Sequence, residues 1–464
     1  MGLSVPVLLL GVAVGAGADA LSANLRDYLL AERASERRVL EKKILATDGL
    51  TADKLAREIR GLALWDAQPP GDARVTLRLR KGASSEKWVW LHTPADYDPE
   101  KRWPLILAFH GAGGNPKGML DYTLRLLGDE REAFIVAAPN WIGAVEPVGD
   151  ARPPRMRALG FTNPPHSVGQ PRALIRVLRR RFHIDNDRVY VVGYSMGASN
   201  AWMAAIMHAD CFAGVVPLSH VLQIIGGTIL YPELLPNCRN TRILFCWGGK
   251  DVLDAKGAVS KTGGIAGRSR EMVKIIRKLG LKRIKHFELP DAGHRDVIPP
   301  ADALRKLLHR RRRHYPKHVR QTFRLAEQSR AYWVSALQLQ GEPLPGGNLQ
   351  ITVRPGEDPE AAKRRELIES LGLIEARCKG QRIQLRSRRA TRVVLLLSDE
   401  LLDLDKPVKI VRGKKKVFSG KIRRDLRVML RQAAHGWDFD RLPSARVVIP
   451  VAGKIKFGYP RERR

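Results

Sequence analysis

Cysteine is scarce in this 464-residue chain: four residues, at positions 211, 238, 246 and 378. They are too few and too scattered for a disulfide framework. None stands in a CxxC pair, which argues against a structural zinc site. Acidic residues are also short, 47 Asp and Glu against 81 Lys and Arg, for a formal charge of +34. Such an excess specifies no fold, but it implies attraction to polyanions. No nucleic-acid-binding signature accompanies it, and no histidines show metal-ligand spacing, so neither a metal nor an organic cofactor is expected. Long apolar runs are missing as well. The longest, Leu3 to Ala18, is shorter than the roughly 20 residues of a membrane span. With Ala18-Asp19-Ala20 behind it, it has the form of a secretory signal, although no Lys or Arg precedes it. Residues 1–20 are therefore read as a signal peptide and the mature protein as secreted or periplasmic. A buried N-terminal helix is the alternative.

What is present describes a globular chain: 44% apolar and 28% charged residues, enough for two or three domains. Residues 21–70 show helical periodicity, with Thr51 as a helix cap, and end in the turn-rich DAQPPGD. From Val75, strand and helix signals alternate, which implies an α/β domain over 71–315 with a mostly parallel sheet covered on both faces. The first two strands are joined without a helix, so that edge should be antiparallel. Residues 316–464 read as a β-rich accessory domain, with strands including Leu349–Val353 and one helix near Arg423–Ala434.

The strongest motif is Arg188-Val-Tyr-Val-Val-Gly193-Tyr194-Ser195-Met196-Gly197. A β-branched strand enters G-x-S-x-G and a helix-forming segment leaves it. This is the setting of a nucleophile elbow, where the turn strains the serine and Gly193 and Gly197 allow strand and helix to approach. The helix N-terminus favours developing negative charge. Three further segments fit the same chemistry. His110-Gly-Ala112-Gly-Gly-Asn115 follows an early strand and can aim a backbone N–H at an oxyanion. Lys117 is followed by Gly118 rather than Ser or Thr, so this is no Walker loop. Gly248-Gly-Lys-Asp251 places an acid just past a strand, with Asp254 as runner-up. Ala292-Gly-His294 places a base in the loop after the last strand, whereas His286 lies inside it. The order serine, acid, histidine suits this fold. Gly263 to Gly267 reads as a loop.

These residues resemble the α/β-hydrolase fold over about 85–315. The likeness is to the secreted serine esterases that include feruloyl and acetylxylan esterases and polyhydroxybutyrate depolymerases, with the prolyl oligopeptidase family as a relative. Ala198 stands where those enzymes usually carry Gly. The resemblance implies Ser195 as nucleophile, His294 as base, Asp251 as orienting acid and the backbone N–H groups of Met196 and Ala112 as the oxyanion hole. The expected substrate is an ester-bearing small molecule, polysaccharide or polyester. The alternatives are a serine peptidase, or a non-catalytic polyanion-binding protein on a hydrolase scaffold. Pro139 to Pro165 and Leu222 to Pro236 are candidate walls of the site.

Two basic runs stand apart: Arg305 to Leu325 holds nine Lys or Arg and no acid, and Lys406 to Gln432 holds eleven against one Asp. Clustered charge of this kind can bind an acidic polymer by counterion release. A solvated face is the plainer and favoured reading.

Overall fold

A computed structural model describes residues 20–77, 87–140, 145–147, 156–158, 170–222, 231–252, 259–260, 262–340, 351–450 and 456–458. Residues 1–19 of the proposed signal peptide at 1–20, Asp254, most of 139–165 and residues 223–230 lie outside them.

The central sheet has eight strands: β1 (Gly71–Leu77), β2 (Lys87–Thr93), β3 (Trp103–Phe109), β4 (Ile135–Pro139), β5 (Ile184–Tyr194), β6 (Gly214–Leu218), β7 (Arg242–Gly248) and β8 (Ile284–Leu289). Their spatial order is β1-β2-β4-β3-β5-β6-β7-β8. The β1–β2 and β2–β4 pairs are antiparallel, and the others are parallel. A parallel sheet is buried on both faces, so its strands are apolar throughout rather than alternating. Every residue of β3 and β4 is accordingly buried.

Alternate side chains enter different layers. Leu105 and Leu107 face a core shared with helices α5 (Gln170–Arg181), α6 (Met196–Met207) and α7 (Gly264–Lys278). Ile106 and Ala108 face another, covered by α4 (Pro116–Leu127) and α8 (Ala301–Leu308). Strand order and two-sided cover make this the α/β-hydrolase fold. Segment 263–267, read above as a loop, instead begins α7, with Gly263 and Gly264 at positive φ. Leu234 and Leu235, in the segment read as a cap, are buried in the first of these cores.

Beyond residue 316 two sheets pack face to face. One contains β9 (His318–Phe323), β11 (Gly372–Lys379), β12 (Arg382–Arg388), β14 (Val408–Arg412) and β15 (Lys415–Gly420). The other contains β10 (Val334–Leu339), β13 (Ala390–Leu397), β16 (Ala445–Pro450) and β17 (Lys456–Phe457). Ile374, Ile383 and Ile410 from the first meet Val393, Leu395 and Val447 from the second in one core. This region holds two helices among the described residues, α9 (Pro359–Ser370) and α10 (Leu426–Gly436), where one was expected. The Asp358 side chain caps α9 by accepting from the Ala361 N–H at 2.9 Å. Residues 351–353, expected as part of a strand, form none.

Helices α1 (Ala20–Leu30), α2 (Ala34–Leu45) and α3 (Ala52–Gly61) do not stand alone. Leu25, Tyr28, Ile44, Leu55 and Ile59 share a core with Met429, Leu430 and Ala433 of α10. The first and last parts of the chain thus form one helical layer.

Charge joins the sandwich to the hydrolase sheet. Arg312, its side chain 1% exposed, donates to both Asp438 carboxylate oxygens at 2.7 and 2.6 Å and to Asp187 at 3.1 Å. Asp210, fully buried, accepts from Arg172 at 2.6 Å and Arg441 at 2.8 Å. His314 bridges Asp187 at 2.6 Å and Glu400 at 3.2 Å. Burial opposes ionisation of Asp187 and Asp438. The His314 and Arg312 contacts to Asp187, and the Arg312 charge beside Asp438, outweigh it and hold both well below the usual carboxylate range. The run Arg310–Arg313 is therefore no uniform solvated face: Arg312 is an internal clamp, and Arg311 pairs with Asp185 and Asp187.

Candidate active site

The turn between β5 and α6 holds Ser195 at φ 54° and ψ −121°. That region is costly for a residue with a Cβ and persists only where the surroundings enforce it. Here they do. A Cβ on Gly193 would stand 2.1 Å from the Gly197 carbonyl oxygen, and one on Gly197 would stand 2.0 Å from the Phe109 carbonyl oxygen. Strand, turn and helix are thus in backbone contact, and only glycine fits at either position. The Ser195 N–H donates to the Leu218 carbonyl at 2.9 Å, tying the turn to β6. Met196 is the first residue of α6, so its N–H belongs to a helix N-terminus.

Two loops complete the site. β7 ends at Gly248, and Asp251 follows with its side chain 7% exposed. Its carbonyl accepts from the Ala266 N–H at 2.9 Å in the first turn of α7, which fixes the backbone. β8 ends at Leu289, and His294 stands five residues on, its side chain 38% exposed. The loops are sewn together, because the Lys250 N–H donates to the Ala292 carbonyl at 3.0 Å. A Cβ on Gly248 would collide with the carbonyl oxygens of Ala292, at 2.3 Å, and Gly293, at 2.4 Å.

The result is a line of three groups. His294 Nδ1 lies 2.7 Å from Asp251 Oδ2, and His294 Nε2 lies 2.9 Å from Ser195 Oγ. A buried carboxylate on Nδ1 fixes the tautomer that leaves Nε2 able to accept the hydroxyl proton. The loop after β3 closes the other side: a Cβ on Gly111 would stand 3.0 Å from Ser195 Cβ. Ala112 is the next residue in that turn. His286 sits within β8, against Arg277 and Trp247, and is not part of the line.

Some supporting groups were not singled out by the motifs. The Tyr194 hydroxyl donates to the His294 carbonyl at 2.5 Å. Burial, then the nearby Asp251 charge, push that phenol up to about 12, so it stays a donor. The Tyr194 ring packs against Tyr122, whose hydroxyl donates to the Val297 carbonyl at 2.7 Å, and the pair braces the histidine loop from below. His220, two residues past β6, gives Nδ1 to the Val221 carbonyl at 2.9 Å, and burial pulls it down. The only available signal for these groups was position beside a strand end or a motif residue. All four cysteines are buried and free, so Cys211 and Cys238 do not pair. Among the described residues no group of three or more His, Cys, Asp or Glu is placed to hold a metal ion. No described helix is long and apolar enough to cross a membrane.

The family model described as "Putative esterase" matches residues 84–340. "Putative esterase NocK" of Nocardia uniformis subsp. tsuyamanensis is 30% identical over 161 residues, which span 33% of this chain and 44% of that protein. Among solved structures, a thermostable esterase is 20% identical with a TM-score of 0.39, covering 52% of this chain and 63% of that one. LpqC, a poly(3-hydroxybutyrate) depolymerase from Bordetella parapertussis, is 18% identical with a TM-score of 0.39, covering 56% and 99%. The family model covers more than half of the chain and contains Ser195, Asp251 and His294, so this chain belongs to the esterase family.

Proposed function

We propose that this chain hydrolyses carboxylic esters through an acyl-enzyme on Ser195. The observation that carries the reading is the unbroken relay from Asp251 through His294 to Ser195, with contacts of 2.7 and 2.9 Å. His294 Nε2 takes the hydroxyl proton as Ser195 Oγ forms a bond to the ester carbonyl carbon. Asp251 holds the imidazole in position and stabilises its charged form. The tetrahedral oxyanion is received by the backbone N–H groups of Met196 and Ala112. Losing one such donor costs on the order of 3 kcal/mol of barrier. His294 then gives its proton to the leaving alcohol as the carbon–oxygen bond breaks. Water repeats the attack on the acyl group, releasing the acid and restoring Ser195.

Two measurements test this. A fluorophosphonate probe should label the wild-type protein at Ser195 and leave Ser195→Ala unlabelled. Turnover of 4-nitrophenyl acetate should fall by about four to six orders of magnitude in that variant. Unchanged turnover would sink the mechanism.

A further inference from the structure

A cavity of about 630 Å³ lies where α1, α2, α5 and α10 meet β10, β13 and β16. Arg176 and Arg180 of α5 line it, and α5 runs into the first residues of β5. Ser195 follows the far end of that strand, on the order of 30 Å away at about 3.3 Å per residue. This is not the esterase site.

Its wall is predominantly basic. Arg37 and Arg38 project from α2, Arg431 from α10, Arg446 from β16, and Arg330 from the segment before β10. Glu41 is the one carboxylate among the lining residues, and Arg431 already occupies it at 3.0 and 3.1 Å. Arg37 is spent on backbone carbonyls of Tyr28 and Ala31. Arg330 reaches Asp210 only at 3.5 Å, and Asp210 is shared with Arg172 and Arg441. Arg180 lies 5.0 Å over the Trp437 ring, which orients the guanidinium, and the Glu32 charge offsets it only in part against burial and the Arg176 and Arg37 charges. Among the described residues, neither Arg176 nor Arg180 makes an ion pair. His435 also lines the cavity, and burial, then the Arg330, Arg176 and Arg172 charges, pull it down to about 4.

Guanidinium groups that outnumber the carboxylates around them repel one another, and an anion relieves that repulsion. Arg forks match the oxygens of phosphate and carboxylate groups. We propose that this cavity binds a small, multiply charged oxyanion through Arg176, Arg180 and Arg330. The cavity volume lies in the range of small-molecule sites.

Inorganic pyrophosphate is a suitable probe, with citrate as the carboxylate arm and sodium chloride at matched ionic strength as the control. Pyrophosphate or citrate at millimolar concentration should raise the melting temperature by about 2 °C or more over the chloride control. It should also move the His435 imidazole titration upward in NMR. Arg176→Gln/Arg180→Gln, changed at one half-buried and one exposed helix position, should lose both responses while keeping wild-type ester turnover. Absence of both shifts overturns the proposal, as does an equal response in the double variant or a response to heparin alone. The melting and NMR responses are read without ester turnover, so failure of the esterase reading leaves them intact.

Discussion

Among the histidines that lie against an aspartate, His294 and His314 differ at the second ring nitrogen, and that difference separates their fates. His294 faces Asp251 on one side and the Ser195 hydroxyl on the other. His314 faces Asp187 on one side and the Glu400 carboxylate on the other. A hydroxyl needs an acceptor, so the His294 arrangement suits proton movement. Two carboxylates need a donor at both nitrogens, so His314 is held charged. Burial works against that charge, yet its hydrogen bonds to Asp187 and Glu400 prevail and lift it to about 9. An Asp–His contact is therefore not a sign of catalysis by itself; what the other ring nitrogen touches decides between a base and a clamp.

Four substitutions probe the contrast. Asp251→Asn should lower kcat/KM on an aryl ester by about four orders of magnitude with stability nearly unchanged, because the imidazole loses its tautomer control. Asp438→Asn should do the reverse. It leaves Arg312 buried without a full counter-charge, so urea unfolding should show a loss of about 3–5 kcal/mol, while the remaining folded protein keeps its kcat. His314→Gln tests the clamp by pH. The folded value of this histidine is raised, so its contribution is complete below about pH 6.5 and disappears as pH rises through about 9. The variant should be less stable than wild type by on the order of 3 kcal/mol at pH 6, and the gap should close by pH 9 to 10. His286→Ala is the smallest change, with turnover within about twofold and stability within about 0.5 kcal/mol. A large loss of activity there would break the assignment of His294.

The candidate site was legible because its parts sit in short motifs at strand ends: Gly193 to Gly197, Gly248 to Asp251, and Ala292 to His294. Each motif encodes its own backbone geometry, and the sheet supplies the meeting point. The ion network was not legible. Asp187 and Asp438 lie 125 and 126 positions from Arg312, and no local pattern in Arg310–Arg313 distinguishes the buried arginine from its exposed neighbours. Helix α9 was missed although Asp358-Pro359-Glu360 is a sound start signal, because its Lys, Arg and Glu residues leave little apolar stripe. Strand β11 alternates buried and less buried residues over Gly372–Lys379, but Glu375, Arg377 and Lys379 on its outer side dilute the apolar signal. Segment 263–267 misled because paired glycines suit a loop and a left-handed helix entry equally well.

The Arg312 clamp has a practical corollary for anyone engineering the protein. A shortened recombinant version ending near residue 316 would retain Ser195, Asp251 and His294, and on a map of motifs it would look like a complete enzyme. It would also leave Arg312 without Asp438, Asp210 without Arg441, and the first three helices without the α10 face they cover. Such a fragment should accumulate as insoluble material, so the smallest workable catalyst extends through the Ala445–Pro450 strand.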